Sequence, residues 1–238
     1  MSNPYFQFKK FTVFHDQCAM KVGTDGTLLG AWAPTAGAGR ILDIGTGSGL
    51  ISLMLAQRSP TSHITGIDID EAAIRQARTN AMASPWGQRI DMVCKDVSRF
   101  AEEEGQGKYD AIVSNPPYFM ERVACPDTMR HTARHTDSLS FGQLLHAVGC
   151  LLAEEGTFSV VLPSTACNEF IASALHHRLY LRRQTWVHTK PTKPAKRVLM
   201  TFVRCPSLTQ TDRLYIESET GVFSREFIEL LKDYYLRF

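Results

Sequence analysis

No stretch of this 238-residue chain approaches the roughly 18 consecutive apolar residues that a membrane-spanning helix needs, and no basic, apolar and small-residue leader opens it. The expectation is a cytoplasmic protein with no membrane partner. The six cysteines, at positions 18, 94, 125, 150, 167 and 205, contain no C-x-x-C pair. Their scatter excludes a disulfide framework and a metal centre, and predicts reduced, mostly buried thiols. Charge of one sign is also scarce: the formal net charge is +2, too small on its own to announce a nucleic-acid partner. Internal repeats and low-complexity segments are absent, and a monomer is the expected state.

Apolar residues make up 44% and charged residues 21%, a balance that fits one large globular domain with a developed core. From Arg40 to Pro163, short β-branched runs alternate with longer helical patterns, which predicts βαβ units and a mainly parallel sheet. The strands read as Arg40 to Ile44, His63 to Asp68, Ile90 to Cys94, Tyr109 to Ser114 and Gly156 to Leu162. Helices read as Gly49 to Arg58, Glu71 to Ala83, Ser138 to Leu152 and Ala166 to His177, with Asp70 capping the second. Two later runs, Leu179 to Val187 and Val198 to Arg204, predict an antiparallel hairpin at a sheet edge. Phe6, Phe8, Phe11 and Phe14 have a spacing that selects neither strand nor helix. The chain divides into an N-terminal segment, 1–39, and a main domain, 40–238.

Ile41 to Gly49 reads I-L-D-I-G-T-G-S-G, an apolar strand running into three alternating glycines and then a helix. Glycines there let backbone approach a ligand closely. A dinucleotide loop would need glycine at position 50, where Leu50 stands. The string present resembles motif I of class I methyltransferases, which cradles the amino-acid end of S-adenosylmethionine, and the resemblance implies a Rossmann-like, mainly parallel seven-stranded sheet with helices on both faces. Asp68 ends the second strand nineteen residues after Gly49, near the spacing at which such folds place a ribose-binding acid. Asp70 competes but is explained by helix capping. Asp96 stands where the resembled family binds the cofactor adenine. Together with their neighbours, the expected cofactor residues are Asp43, Gly45, Thr46, Gly47, Gly49, Asp68, Ile69, Asp96, Val97 and Asn115.

Tyr109 to Tyr118 reads Y-D-A-I-V-S-N-P-P-Y, so a strand delivers Asn115, Pro116, Pro117 and Tyr118 to the same sheet edge. Two prolines stiffen the turn and lack competing N–H groups. If the Asn115 side-chain oxygen and the Pro116 carbonyl each accept one hydrogen of a planar NH2, the nitrogen lone pair is freed to meet a methyl group. Tyr118 is expected to stack on the target base. N-P-P-Y resembles the motif of methyltransferases acting on adenine N6, guanine N2 or glutamine amide nitrogen, without choosing among them.

The segment from Phe8 to Trp32, F-K-K-F-T-V-F-H-D-Q-C-A-M-K-V-G-T-D-G-T-L-L-G-A-W, resembles the opening of the bacterial tRNA1(Val) adenine-N6 methyltransferases. The resemblance continues through D-I-G-T-G-S-G-L, S-N-P-P-Y and V-V-L-P and covers almost the whole chain. It implies methylation of adenosine 37 of that tRNA and an N-terminal segment closing over the cofactor, with Lys21, Thr24 and Asp25 beside it. Departures lie in the loop from Phe119 to Asp137 and in the lysine-rich hairpin loop. From His176 to Arg197 there are seven Lys or Arg and no Asp or Glu, with Tyr180 and Trp186 interleaved. Arg182, Lys190, Lys193, Lys196 and Arg197 are therefore expected RNA contacts, as are Arg122, Arg130 and Arg134 after N-P-P-Y. Rival readings are ribosomal RNA methylation, protein glutamine methylation and, on fold alone, a nicotinamide oxidoreductase.

Overall fold

The computed structural model describes residues 3–117 and 139–238. A short hairpin, β1 (Tyr5–Gln7) and β2 (Thr12–Phe14), precedes helix α1 (Thr24–Trp32). The structure resolves the phenylalanine run as a hairpin: Phe8 N donates to Phe11 O at 2.8 Å across the turn, and the two buried rings stack at 4.6 Å. Then come β3 (Arg40–Ile44), α2 (Leu50–Arg58), β4 (His63–Asp68), α3 (Glu71–Met82), β5 (Ile90–Cys94), α4 (Val97–Glu104) and β6 (Tyr109–Ser114). The remainder is α5 (Phe141–Leu151), β7 (Leu152–Pro163), α6 (Cys167–His176), β8 (Tyr180–His188), β9 (Ala195–Val203), β10 (Gln210–Tyr215), the small hairpin β11 (Glu217–Glu219) and β12 (Val222–Phe223), and α7 (Arg225–Leu231).

Local chemistry starts the helices where the sequence places its caps. Asp70 accepts from Ala72 N at 2.8 Å at the head of α3, and Asp96 accepts from Ser98 N at 2.9 Å at the head of α4. Ser140 and Gln143 form a reciprocal capping box that starts α5. None of the described helices is long and apolar enough to cross a membrane.

The main sheet has eight strands in the order β10-β8-β9-β7-β6-β3-β4-β5, one more than the seven expected. β7, β6, β3, β4 and β5 are mutually parallel, and β9 runs antiparallel between β7 and β8. The β8–β9 hairpin forms as its sequence predicts, but β10 adds parallel to β8 and takes the outermost position. Leu214 is the one buried residue of β10, so its hydrophobic pattern is too weak to read. Side-chain alternation along β3 feeds both faces: Ile41 joins a cluster with Phe8, Leu28 and Leu53, and Leu42 joins one with Ile112, Leu145 and Phe158. Phe8, Phe11, Val13, Leu28 and Leu29 therefore belong to the same core as the parallel strands.

The chain leaves β3 and turns back for β6 on its other side, so a switch point lies between these two strands at their carboxyl ends. Asp43 supports the turn there from below. It is fully buried, and its Oδ2 accepts from Thr46 Oγ1 at 2.7 Å, Ser52 Oγ at 2.8 Å and Ser52 N at 3.1 Å, stitching β3 to the first turn of α2. Oδ1 has no hydrogen-bond partner. Burial pushes the carboxyl up to about 6, against the lowering effect of those donors. The folded state thus binds this proton more tightly than the unfolded chain, and the stability it contributes at low pH is lost as pH rises from about 4 towards 6. In Asp43→Asn that loss disappears. The unfolding free energy at pH 7 minus that at pH 4.5, from urea titrations, should be more positive than in the parent by on the order of 1–3 kcal/mol. An unaltered difference would mean that Asp43 does not titrate in this range.

Candidate active site

Three backbone turns in a row follow β3. Gly45, Gly47 and Gly49 all adopt positive φ, at 72°, 53° and 80°. Gly45 N and Thr46 N both donate to Ile67 O, at 2.9 and 3.0 Å, and Gly47 N donates to Asp68 Oδ2 at 2.9 Å, so the loop is fastened to the end of β4. A Cβ built on Gly45 or Gly47 meets nothing within 4 Å. These glycines are required by backbone angle, and their open side faces a cavity of about 260 Å³. Gly49 instead starts α2 in the left-handed conformation, against Met92 and Ala77.

That cavity gathers Gly45, Gly47, Asp68, Ile69, Asp96, Val97, Asn115 and Pro117 from the carboxyl ends of four adjacent strands. Asp68 uses one lone pair of Oδ2 for Gly47 N and one of Oδ1 for Asp70 N at 3.0 Å, which fixes the carboxylate and leaves each oxygen able to accept once more. Asp96 spends Oδ1 on capping α4. Ile69, 59% exposed, faces the cavity with Val97 and Leu139, giving a flat apolar slot beside two fixed carboxylates. A nucleoside with an amino-acid tail fits this set: carboxylates for hydroxyls and an amino group, apolar walls for a base, and bare glycine backbone for the tail. At the far rim, Ser114 Oγ donates to Ile44 O at 2.9 Å, tying β6 to β3 just before Asn115.

Other expected cofactor residues lie behind or beside this lining. Asp43 and Thr46 are buried beneath the loop, and Gly49 and Pro116 are not among the lining residues. Lys21, Thr24 and Asp25 do not line the cavity either; Cys18, Ala19 and Met20 do, because the chain has turned away by the start of α1. Asp25 pairs with Arg197 at 2.7 Å. Tyr118, Arg122, Arg130 and Arg134 lie outside the described residues.

Two residues that the sequence reading passed over hold the roof. Gln76 and Asn80, one turn apart on α3, are both buried. Gln76 Oε1 accepts from Gln17 N at 2.8 Å and from Cys18 Sγ at 3.4 Å, and its Nε2 donates to Asp16 Oδ1 at 2.7 Å. Asn80 accepts from Phe14 N at 3.0 Å and donates to Phe14 O at 2.8 Å and to Ser48 O at 2.9 Å, joining β2 to the glycine loop. Their signal is two long amides flanking the buried Ala73, Ala77 and Ala81 stripe of α3. Burial, followed by the nearby carboxylates Asp68, Asp70 and Asp16, pushes the Cys18 thiol up to about 11, so it stays neutral at the rim and is no nucleophile.

The basic segment is divided by the fold. Pro163, the last residue of β7, pairs with Arg197, so the β8–β9 turn with Lys190 and Lys193, and Lys196 at the start of β9, stand at the carboxyl edge of the sheet, the edge on which the cavity opens. Arg182 lies six residues back along β8, about 20 Å towards the opposite edge. The segment has no acids in sequence, yet Asp212 pairs with Arg183 at 3.1 Å, Glu217 with Lys190 at 3.9 Å and Asp25 with Arg197. Trp186 is partly buried against the core beside Val198, and so is not an open stacking surface.

Comparison with known proteins agrees with this geometry. The model of the methyltransferase small domain matches residues 18–177. The crystal structure of a predicted O-methyltransferase from Agrobacterium tumefaciens superposes with a TM-score of 0.69 at 20% identity, covering 88% of this chain and 96% of that one, which is a likeness of fold. Fold and cavity together define an S-adenosylmethionine-dependent methyltransferase. The tRNA1(Val) (adenine(37)-N6)-methyltransferase of Bacteroides fragilis is 49% identical over the full length of both chains, and that of Yersinia enterocolitica 46% identical over 98% of this chain and 93% of its own. The chain belongs to this tRNA1(Val) (adenine(37)-N6)-methyltransferase family.

The roof gives a test. Gln76→Ala leaves three polar groups of the 16–18 segment without their partner, and calorimetry should show S-adenosylmethionine binding about 5- to 50-fold weaker, on the scale of one or two lost hydrogen bonds. Parental affinity in a folded Gln76→Ala protein would show that the roof does not hold the cofactor.

Proposed function

We propose that this protein transfers the methyl group of S-adenosylmethionine to N6 of adenosine 37 in tRNA1(Val). The observation that carries the reading is the meeting of Asn115 and Pro117 with Gly45, Gly47, Asp68 and Asp96 around one cavity. The naming of full-length relatives near half identity supports adenine over guanine or glutamine. Bound S-adenosylmethionine supplies an activated methyl group on a sulfonium. Asp68 accepts hydrogen bonds from the ribose hydroxyls, Asp96 from the adenine amino group, and Ile69 and Val97 pack on the adenine. Residues 1–39 cover the cofactor through Cys18 to Met20, and 40–238 form the transferase domain.

Asn115 Oδ1 and the Pro116 carbonyl accept the two hydrogens of the target amine, and Tyr118 stacks on the target base. Holding both hydrogens out of the ring plane pulls the nitrogen lone pair out of conjugation and aims it at the methyl carbon. The bound cofactor would supply the methyl group and its sulfur would keep the bonding electrons, leaving a cationic amine that would lose its proton to water. No protein base and no metal is needed in this scheme. Incubating the protein with cofactor and total tRNA, total ribosomal RNA or a release factor, then mapping products by nucleoside and peptide mass spectrometry, tests the substrate: N6-methyladenosine at position 37 of tRNA1(Val) supports the reading, and product in another fraction overturns it.

For the RNA face, Lys193 and Lys196 are exposed at the same carboxyl edge of the sheet as the cavity and are the leading phosphate contacts of the described residues, with Lys190 held by Thr220 and Glu217 beside them. Arg122, Arg130 and Arg134 remain proposed contacts by their place after N-P-P-Y. Replacing Lys193 and Lys196 together by alanine should weaken tRNA binding and flatten the plot of log affinity against log salt by about 1.5. Arg182→Ala should change the slope little. The opposite pattern would place the RNA on the far edge of the sheet.

A further inference from the structure

Asp25 and Arg197 were expected at different places, one beside the cofactor and one on RNA, and the fold joins them. Arg197 Nε donates to Asp25 Oδ2 at 2.7 Å across 172 residues of sequence, with the two side chains only 34% and 26% exposed. Asp25 lies in the first turn of α1, where the helix amide groups also favour a carboxylate. Arg197 lies near the start of β9, opposite Pro163 at the carboxyl end of β7. β7 pairs with β6, and Asn115 follows the last residue of β6. The pair therefore ties α1 to the sheet two strands from Asn115.

What α1 does there is set by its next residue. A Cβ on Gly26 would stand 3.9 Å from Asn115 Nδ2 and 3.0 Å from Leu50 Cδ2. The first turn of α1 thus lies beside the nitrogen edge of the Asn115 amide with about a methyl group's width between them, and that added methyl group would crowd Leu50.

We infer that the Asp25–Arg197 ion pair is a positioning device for methyl transfer, holding the first turn of α1 against Asn115 so that the amide oxygen is presented to the target amine. The inference rests on Asn115 being the acceptor for that amine. It also gives Arg197 a task other than binding phosphate. A single ion pair that is still partly open to solvent contributes modestly to stability, so the expected effect is on geometry at the reacting centre.

The test uses the full chain with S-adenosylmethionine and tRNA1(Val) transcript, and the variants Asp25→Asn, Arg197→Ala, their double variant and Arg197→Lys. Cofactor affinity is read by calorimetry, tRNA affinity by filter binding and the chemical step by single-turnover methylation at saturation. Asp25→Asn and Arg197→Ala should each slow the single-turnover step about 10- to 100-fold, the scale of a small misplacement at a reacting centre. The double variant should be no slower than the slower single, because both remove the same interaction. Arg197→Lys should recover part of the rate, and both affinities should stay within about twofold of the parent.

Several results would overturn the assignment. Weaker tRNA binding in Arg197→Ala with an unaffected Asp25→Asn would make Arg197 a phosphate contact. Lower melting temperature with a parental rate would make the pair a structural tie, and additive losses would mean two separate roles. Asn115→Ala in the same assay separates the two readings: if it is slow while the pair variants are fast, only the role of the pair falls, and if it is as fast as the parent, the acceptor reading falls and this inference with it.

Discussion

Three alternating glycines with positive φ at the end of β3 are the constraint on which the site depends. A side chain at Gly45 or Gly47 meets no neighbour, so the requirement comes from the backbone angle. With the turn made, Gly47 N reaches Asp68 and fixes that carboxylate at the rim. Asp43 accepts three hydrogen bonds from beneath and holds the turn to α2, at the cost of a buried carboxyl whose second oxygen is unpaired. The strand order then places Asn115 across the same cavity, because β6 pairs directly with β3. The glycine loop, Asp68 and Asn115, to which the proposed reading gives the cofactor and acceptor roles, are thus positioned by adjacent strands of one sheet.

Around this rigid centre the chain wraps its first forty residues. The β1–β2 hairpin and α1 share the hydrophobic core of the parallel strands, and Gln76 and Asn80 fasten the intervening backbone to α3. Helix α1 is tied down at both sides: Thr27 meets Tyr235 at 3.1 Å, Trp32 Nε1 donates to Thr185 at 3.0 Å, and Asp25 holds Arg197. The residues that roof the cavity, Cys18 to Met20, and the turn beside Asn115 therefore come from the same N-terminal segment.

The parallel strands and their helices were legible because each carries a strong local pattern: apolar β3, the capped α3 and the stiff turn after β6. That the glycine loop and Asn115 stand at one sheet edge was legible because each directly follows a strongly apolar strand, β3 and β6. What was not legible depends on distant partners. β10 buries little and forms only because β8 offers an edge. The segment from His176 to Arg197 reads as uncompensated charge, yet the fold supplies Asp212, Glu217 and Asp25 from elsewhere in the chain. Lys21, Thr24 and Asp25 missed the cavity by a few residues because the backbone enters α1 there, leaving Cys18 to Met20 facing it. Gln76 and Asn80 looked like ordinary polar positions on a helix until the N-terminal backbone was placed against them.

The central claim is that Asn115 acts on the target amine and not on the cofactor. Single-turnover methylation of tRNA1(Val) by Asn115→Ala, with cofactor affinity measured in parallel, tests it most directly. The account predicts a cofactor affinity within a few-fold of the parent and a chemical step slower by about 100- to 1000-fold, the loss typical of one aimed hydrogen-bonding group. A parental single-turnover rate would contradict it and reduce the Asn115 turn to a purely structural element.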